Sequence, residues 1–391
     1  MASVASGRRK HAPGVSSCGM AMNSDAHQDP PAVPGIEPLE PASRRLTPTR
    51  QRMRRRTGSG DRALDAQIHA LVESAGAADA DLLEDIVETA FRMAKGANRG
   101  EMKLVSRSFR ELGRSFRIFA PYRARRKVSI FGSARTLAGH AEYAVAREFA
   151  RQMAARGWMV ITGAGPGIMA AGHEGAGAEN SFGVGIKLPT EQSANEFIAR
   201  DPKLIDFKYF FTRKITFMKE SDAFALLPGG FGTMDEAYEL LTLMQTGKTA
   251  IRPVVLLDTP GGTYWREWLD FVRRHIVDKG LVSPEDMAFF TLAPSVEEGI
   301  AEIERFYKNY HSARYVGERL VLRLHRAPDR AQLDRLNAEF ADLVAAGKIQ
   351  QVAATAEEVA DDDCIDLARV ALRADHNFAR IRQLIDALNE I

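Results

Sequence analysis

Short apolar segments alternate with longer segments of helical periodicity between residues 122 and 310, and this alternation is the strongest constraint on the fold. Each apolar segment is nearly continuous, which is typical of strands that helices cover on both faces. The predicted strands are KVSIF (127–131), WMVIT (158–162), FGVGIKL (182–188), DAFALLP (222–228) and PVVLLD (253–258). The predicted helices lie over 143–156, 167–178, 213–220, 234–246 and 264–279. The pattern therefore predicts a Rossmann-like α/β fold, with a parallel, doubly wound sheet over about 122–310.

Two further segments flank the predicted sheet. Residues 62–121 contain amphipathic patterns, with Leu64, Ile68 and Leu71 on one face, and predict a helical extension. The predicted order after residue 310 is strand, helix, strand, strand and helix, over 318–325, 330–345, 348–354, 366–374 and 377–388. This order predicts a small α+β accessory module over 311–391. The module could bind a regulatory ligand, or it could serve packing or dimerisation.

The first 61 residues are rich in Pro, Ser, Ala, Gly and Arg and lack hydrophobic periodicity, which predicts a disordered basic tail. We interpret this tail as a solvated segment, and nucleic-acid binding with strong salt dependence is the alternative. No apolar stretch follows Arg8, Arg9 and Lys10, so we do not expect a signal peptide.

Cysteine usage and hydropathy exclude several classes of protein. Cys18 and Cys364 are the only cysteines, so neither a disulfide framework nor a cysteine metal site is expected, and the expected compartment is the reducing cytoplasm. The sequence contains no apolar run of about 18 residues, so no membrane span is expected. The histidines lack the spacing of metal ligands, and we expect neither a metal nor a redox cofactor.

The PGGFGT loop follows a predicted strand and precedes a helix that we expect to begin near Thr233. Open α/β sheets bind ligands at the carboxyl ends of their strands. Gly229, Gly230 and Gly232 leave backbone N–H groups accessible, and the N-terminus of the following helix favours negative charge. These residues and Thr233 therefore predict a phosphate site. The alternative for TMDE is a capping box, in which Thr233 accepts from the backbone and Glu236 reaches back to it.

Two other loops follow predicted strands. TGAGPGIM contains Gly165 and Gly167, and it matches the dinucleotide fingerprint only in a relaxed form that ends in Ala170. The next predicted strand has no acid at its tip to bind a ribose hydroxyl, so an NAD site is not favoured. FGSAR places Ser133 and Arg135 at the same edge. Three loops at one edge predict a single crevice.

The segment FTRKITFMKESDAFALLPGGFGTMDEAYELLTLMQTGK resembles the signature of the LONELY GUY family, long labelled as lysine decarboxylases. The family hallmark is a paired Arg-Lys followed by P-G-G-x-G-T-x-x-E, and Arg213, Lys214 and residues 228–236 match it. GSAR, GAGPGIM and LPTEQSAN also resemble family segments in the same order, so the similarity covers about 122–310. The resemblance implies a nucleoside 5′-monophosphate phosphoribohydrolase, which releases a free base and ribose 5-phosphate from AMP, a related purine nucleotide or a cytokinin nucleotide.

The resemblance also implies roles for individual residues. Glu236 would be the carboxylate that directs water and stabilises an oxocarbenium-like sugar, and Arg213 would be its catalytic partner. The residues expected on the substrate side are Ser133, Gly165, Gly167, Glu191, Gln192, Asn195, Lys214, Thr242 and Gln245. Family members form homo-oligomers, so we expect a homodimer or larger assembly. The expected ligand is a small nucleoside monophosphate, and neither a membrane nor a nucleic acid is an expected partner.

The sequence departs from the family pattern in two respects, and two functions other than hydrolysis remain as alternatives. Ala164 stands where plant-like members have glycine, and the accessory module is absent from short cytokinin-activating members, which favours a housekeeping purine nucleotidase. A nucleotide carrier or sensor would use the same crevice without cleavage, although the presence of both Arg213 and Glu236 argues against it. A pyridoxal phosphate decarboxylase would need a Schiff-base lysine, and no sequence context selects one.

Overall fold

The computed structural model describes residues 58–77, 79–187, 194–360 and 364–391. The predicted tail up to residue 57 lies outside these ranges. All described residues belong to one compact unit. Within these ranges, no helix has both the length and the apolar content needed to cross a membrane.

The amino-terminal extension is helical. Its helices are α1 (Arg62–Ala75), α2 (Ala80–Ala94) and α3 (Arg99–Phe119), followed by a 3₁₀ turn over Ala120–Tyr122. Asp61 caps α1 by accepting two backbone N–H bonds, and Asn98 and Glu101 form a capping box at the start of α3. The last residue of α3, Phe119, is buried and its ring stacks on Phe182 with a centroid separation of 4.1 Å. The carboxyl end of α3 is therefore part of the main hydrophobic core.

A seven-stranded parallel sheet forms the centre of the molecule. Its strands are β1 (Lys127–Phe131), β2 (Met159–Thr162), β3 (Ser181–Ile186), β4 (Leu204–Phe207), β5 (Ala223–Leu226), β6 (Val254–Leu257) and β7 (Thr291–Ala293). Their order is β4-β3-β2-β1-β5-β6-β7, and every neighbouring pair is parallel. The five predicted strands are confirmed, but the prediction omitted β4 and β7. These two strands are short and lie at the sheet edges, so neither carries a long apolar run.

Helices cover both faces of the sheet, which confirms the predicted doubly wound, Rossmann-like class. They are α4 (Ala141–Ala155), α5 (Ile168–Ala176), α6 (Phe210–Glu220), α7 (Phe231–Gln245), α8 (Tyr264–Val272) and α9 (Val296–Phe306). Alternate residues of β1 enter different cores. Val128 and Ile130 pack with residues of α4, α5 and α9, whereas Phe131 packs with residues of α6, α7 and α8. The continuous apolar strand sequence follows from this burial on both faces.

The strand order reverses at β1. The chain builds the sheet outward from β1 to β4 and then returns to place β5 on the other side of β1, where Phe131 pairs with Leu226. The loops that follow β1 and β5 therefore leave the sheet side by side in opposite directions. Ligands of open α/β sheets bind at such a switch point.

The carboxyl-terminal region forms a four-stranded antiparallel sheet in the order β10-β11-β9-β8, with helices packed on it. Its elements are β8 (Tyr310–Val316), β9 (Arg319–Leu324), α10 (Arg330–Glu339), β10 (Val344–Gln351), α11 (Ala356–Ala360), β11 (Ala368–Ala374) and α12 (Phe378–Asn389). The predicted order lacked β8 and the short α11, and it extended α10 to residue 345. β8 is only partly buried, which hides its strand pattern. The boundaries at 121/122 and 310/311 remain predictions.

Candidate active site

Three loops at the carboxyl ends of β1, β2 and β5 contact one another. The Ser133 N–H donates to Pro228 O at 3.1 Å, which joins the first loop to the PGGFGT loop. The Ile168 N–H donates to Ser133 O at 3.0 Å, which joins the second loop to the first. Gly167 has φ +68°, and a Cβ there would lie 2.3 Å from Ser133 O. Only glycine fits this junction, because a side chain would separate the two loops.

The glycines of the PGGFGT loop lie in two different environments, one tightly packed and one open. A Cβ on Gly229 would lie 2.1 Å from Thr233 Oγ1 and 3.1 Å from Ser133 N, so packing requires glycine there. A Cβ on Gly230 or Gly232 would meet nothing within 4 Å. These two positions therefore leave open space at the amino terminus of α7, where backbone N–H groups and the helix dipole favour an anion.

The capping-box alternative for TMDE is wrong. Helix α7 begins at Phe231, two residues before the predicted start, and Gly230 is its N-cap residue without a side-chain hydrogen bond. Thr233 thus lies inside the first turn and is buried beside Gly229. Because Glu236 is not used as a cap, its carboxylate is available for another role.

Glu236 has a buried carboxyl group with one oxygen that lacks a partner. Glu236 is 5% exposed, and its Oε2 forms no hydrogen bond with any described residue. Burial raises the pKa of Glu236 to about 7, and the nearby positive charges of Arg213 and Lys214 only partly offset this effect. The carboxyl group therefore titrates near neutral pH, as expected of a general acid or base.

Arg213, in the first turn of α6, spans from this helix to the neighbouring strand and the second loop. Its Nε donates to Val184 O of β3 at 2.9 Å, and a Cβ on Gly163 would lie 2.3 Å from its Nη2. The guanidinium thus occupies space that only a glycine at residue 163 leaves open. Its charge favours the ionised form of Glu236, which is consistent with the predicted pairing of the two residues.

Lys214 connects α6 to α7. Its Nζ lies 2.9 Å from Asp235 Oδ1 and also contacts Glu239 Oε2. Burial alone would lower the pKa of Lys214, but hydrogen bonds to Glu239 and Asp235 outweigh burial and raise it. A lysine held protonated by two carboxylates suits helix positioning and does not suit Schiff-base formation.

Asn195 anchors the second loop. Its Nδ2 donates to Ala164 O at 3.1 Å and to Gly165 O at 2.9 Å. Ala164 has φ 63°, a backbone conformation that a non-glycine residue adopts at a cost. The buried His173 contacts Asn195 through Nδ1, and burial lowers its pKa, so its ring stays neutral. Asn195 and His173 therefore hold the loop in a strained conformation.

The structure does not bring the remaining described residues that were predicted on the substrate side to Glu236. Glu191 and Gln192 lie outside the described residues. Thr242 is exposed on α7, and the six-residue spacing places it about 120° from Glu236 around the helix axis. Gln245 donates to Asp286 Oδ2 at 2.5 Å. The helix geometry does not bring Thr242 or Gln245 to Glu236, and their substrate-side roles remain predictions.

Two residues at this edge were missed by the sequence analysis. The Tyr264 hydroxyl donates to Gly229 O at 2.7 Å and so supports the PGGFGT loop from α8. Asp258 directly follows β6, is buried, and has an Oδ2 without a hydrogen-bond partner among the described residues. The position of Asp258 at the end of an apolar strand was the only available signal. In the described ranges, no three His, Cys, Asp or Glu side chains are grouped as metal ligands.

Comparisons with known proteins identify relatives of this chain. The family model described as "possible lysine decarboxylase" matches residues 167–303. The probable cytokinin riboside 5′-monophosphate phosphoribohydrolase LOGL3 of Oryza sativa subsp. japonica is 31% identical over 168 residues, which are 42% of this chain and 76% of that protein. The Mycobacterium tuberculosis cytokinin riboside 5′-monophosphate phosphoribohydrolase is 32% identical over 166 residues, 41% of this chain and 85% of that protein.

The chain belongs to the LONELY GUY family. The Arabidopsis thaliana cytokinin riboside 5′-monophosphate phosphoribohydrolase LOG1 is 37% identical over a shorter stretch of 94 residues, which are 24% of this chain and 42% of that protein. Membership confirms the family that the sequence resemblance predicted. Both terminal regions of this chain extend beyond the segment covered by the family model.

Solved structures resemble the chain more distantly. The molybdenum cofactor binding protein of Rippkaea orientalis is 21% identical, covers 46% of this chain and 96% of its own, and superposes with a TM-score of 0.34. The molybdenum cofactor carrier protein of Chlamydomonas reinhardtii is 22% identical, with coverage of 46% and 97% and a TM-score of 0.32. Likenesses of this size say nothing about activity.

Proposed function

We propose that this chain hydrolyses the N-glycosidic bond of a nucleoside 5′-monophosphate and releases a free base and ribose 5-phosphate. One observation carries the proposal: a buried carboxyl group with an unpartnered oxygen, Glu236, lies in α7, whose open amino terminus contains Gly230 and Gly232. The names of the phosphoribohydrolase relatives support the reaction class. The preferred base is the adenine of AMP or a related purine, because the accessory module distinguishes this chain from the short cytokinin-activating members.

The proposed mechanism uses the phosphate as an anchor. The 5′-phosphate binds at the amino terminus of α7, which places the ribose beside Glu236 and converts binding energy into orientation. The C1′–N bond breaks, its electron pair goes to the base, and the base takes up a proton from solvent. The ionised Glu236 stabilises the oxocarbenium-like sugar and accepts a proton from the water that adds to C1′. Arg213 orients this carboxylate or a sugar hydroxyl.

The decisive experiment is an assay of base release. The purified chain is incubated with AMP, N6-substituted AMP, GMP and CMP, and free base and ribose 5-phosphate are quantified by chromatography. We expect release from a purine monophosphate, and we expect Glu236→Gln to lower kcat by about 10²- to 10⁴-fold, the usual contribution of a general base. Asp235→Asn changes the adjacent, more exposed acid and should retain kcat within a few fold. The proposal fails if no nucleotide yields its base or if Glu236→Gln is fully active.

A nucleotide carrier or sensor remains the second candidate, since the crevice would serve a bound ligand equally well. The carrier predicts that wild type and Glu236→Gln bind a monophosphate with equal affinity and that neither releases base. If the chain is a hydrolase, wild type and Glu236→Gln should both bind the monophosphate, and only wild type should release the base. Equilibrium binding measured beside the chromatographic assay separates the two functions.

We further propose that the chain forms a homodimer or larger homo-oligomer in the cytoplasm. Helix α6 exposes Phe210, Phe211 and Ile215, and Phe231 at the start of α7 is 97% exposed. Apolar side chains grouped on a surface favour association with a second copy. Light scattering should give at least twice the mass of the chain, and Ile215→Glu should shift the population toward monomer. A monomeric wild type at micromolar concentration would contradict this proposal.

A further inference from the structure

A groove far from the PGGFGT loop in sequence is lined almost entirely by cationic and polar residues. It has a volume of about 520 Å³ and lies between α3 and the segment that leads into α6. This volume is within the usual range of about 300 to 1,000 Å³ for small-molecule sites. The lining residues with charge or an aromatic ring are Arg99, Lys103, Arg107, Arg110, Lys208 and Tyr209.

The positive charge of the groove is largely unbalanced. Its lining contains no acidic residue. Arg107 pairs with Glu111 at 2.8 Å, whereas the other four cations form no ion pair with any described carboxylate. Five cations and one carboxylate leave a net charge of +4. A confined surface of one sign concentrates anions, and this surplus exceeds the charge of a single phosphate.

The shape of the groove favours a small ligand over a nucleic acid. The α3 residues that line it, from Arg99 to Arg110, cover only about 17 Å of helix. Single-stranded nucleic acids bind along extended basic surfaces with several aromatic side chains for stacking. This groove offers one aromatic ring, Tyr209, which is stacked on Phe211 with a centroid separation of 5.5 Å.

Glu111 connects the groove to α6 and so to Arg213. The Glu111 side chain is 4% exposed, and its Oε1 accepts from Arg107 Nε and from the Lys208 N–H, both at 2.8 Å. Its Oε2 accepts from Thr212 Oγ1 at 2.8 Å, and Thr212 directly precedes Arg213. Two residues that line the groove therefore share one buried carboxylate with the first turn of α6.

We propose that this groove binds a small anion with two or more phosphates, and that Glu111 transmits its occupancy to the first turn of α6 and to Arg213. The binding step is independent of the proposed hydrolysis. The effect on turnover rests on the proposed function, so binding and turnover are measured separately.

Binding is tested by calorimetry on the full chain with inorganic triphosphate and with ATP, both without magnesium. We expect saturable binding by wild type and at least a tenfold loss of affinity in Lys103→Glu/Arg110→Glu. The matched control is Arg114→Glu/Arg117→Glu, which changes two exposed cations of α3 outside the groove and should retain affinity within about twofold. Inorganic phosphate should bind at least tenfold more weakly than triphosphate.

One further variant tests whether triphosphate binds instead at the PGGFGT loop. Gly230→Asp adds an acid to open space at the PGGFGT loop and should leave triphosphate binding intact. The proposal is overturned if wild type does not bind triphosphate, if Lys103→Glu/Arg110→Glu binds it as wild type does, or if Gly230→Asp abolishes binding. A single-stranded RNA oligomer that binds more tightly than triphosphate, through the same cations, would also overturn it.

The link through Glu111 is tested by hydrogen exchange, which does not require turnover. Triphosphate should slow amide exchange in the peptide that contains Lys208 to Arg213 in wild type. Glu111→Gln should still bind triphosphate but lose this protection, and Thr212→Val provides a second variant should Glu111→Gln fold poorly. Equal protection in wild type and both folded variants would disprove the link. If base release is detected, triphosphate should change kcat/KM in wild type and not in Glu111→Gln.

Discussion

At the residue scale, the environment of Glu236 is the feature that separates it from other acids of α7. Asp235 and Glu239 both contact Lys214 Nζ, whereas Glu236 is buried and one of its oxygens has no partner among the described residues. Desolvation disfavours the charged form of a carboxyl group, and partial compensation by Arg213 leaves the pKa near neutrality. The same three acids are thus divided into two that position a helix and one that is suited to proton transfer.

The raised pKa makes stability depend on pH in a defined direction. Burial moves the pKa of Glu236 from 4.5 to about 7, so the folded chain binds a proton that the unfolded chain has already released between these values. The stabilisation by this proton is complete below pH 4.5 and is lost as the pH rises through 7. Glu236→Gln mimics the protonated acid. Its thermal unfolding temperature relative to wild type should therefore increase between pH 5 and pH 8, and a constant difference would contradict the raised pKa.

The same titration should appear in catalysis. If ionised Glu236 is the base, kcat/KM should rise about tenfold per pH unit below 7 and level off above it, because kcat/KM reports the free enzyme. Initial rates of base release from pH 5 to 9 measure this profile. Asp235→Asn removes a nearby negative charge that raises the pKa of Glu236, so it should keep the inflection and move its midpoint to lower pH. A profile without an inflection between pH 6 and 8 would exclude Glu236 as the titrating group.

Gly229 and Gly232 provide a matched pair of alanine substitutions. A methyl group at Gly229 would overlap Thr233 Oγ1, and overpacking of this kind costs about 1 to 3 kcal/mol. A methyl group at Gly232 meets open space. Gly229→Ala should lower the unfolding temperature, whereas Gly232→Ala should preserve it and raise KM for the nucleotide. Equal unfolding temperatures for the two variants would show that the loop repacks without cost.

At the element scale, loops from three strands are held by contacts that their own sequences do not reveal. The second loop depends on Asn195, which arrives from beyond β3 and donates to two of its carbonyl groups. The PGGFGT loop depends on Tyr264 from α8. Glycine patterns identified the loops, but the side chains that hold them come from distant parts of the chain.

Removal of the Asn195 amide should affect activity more than a comparable change elsewhere. Asn195→Ala loses two hydrogen bonds to loop carbonyl groups and the contact with His173, and should cost about 1 to 3 kcal/mol of stability. We expect a clear loss of kcat/KM because the strained Ala164 is no longer supported. Asn180→Ala, outside the three loops, loses the bond that its Nδ2 donates to Ala176 O and the bond that its Oδ1 accepts from Arg125 Nη2. Its kcat/KM should stay at the wild-type value, and an equal loss in both variants would argue against a positioning role for Asn195.

At the scale of the whole molecule, the accessory sheet is joined to the main sheet through buried contacts. The Arg382 side chain of α12 is buried and donates to Glu302 of α9 at 2.6 Å. The Phe378 ring occupies the space beside Gly247, where a Cβ would lie 2.0 Å from it, just after α7 ends. The helix that carries Glu236 is therefore in contact with the accessory region at its carboxyl end.

These contacts predict cooperative unfolding. Phe378→Ala should lower the temperature of a single transition, by an amount that corresponds to about 2 kcal/mol for a partly buried ring. Phe271→Ala removes an exposed ring of α8 and should change little. Calorimetry measures both variants. A separate low-temperature transition in Phe378→Ala would show that the accessory region unfolds independently.

The sequence by itself determined the elements whose signal is local. Continuous apolar segments predicted five strands, and the glycines, the Arg-Lys pair and Glu236 predicted the family and the candidate site, because each rests on residues adjacent in the chain. The edge strands β4 and β7 have little apolar signal, so only the sheet that they join made them visible. The tertiary structure alone decided the reversal at β1, the burial that raises the pKa of Glu236, and the groove beside α3. These features arise from contacts between distant segments, and no local pattern of residues encodes a long-range distance.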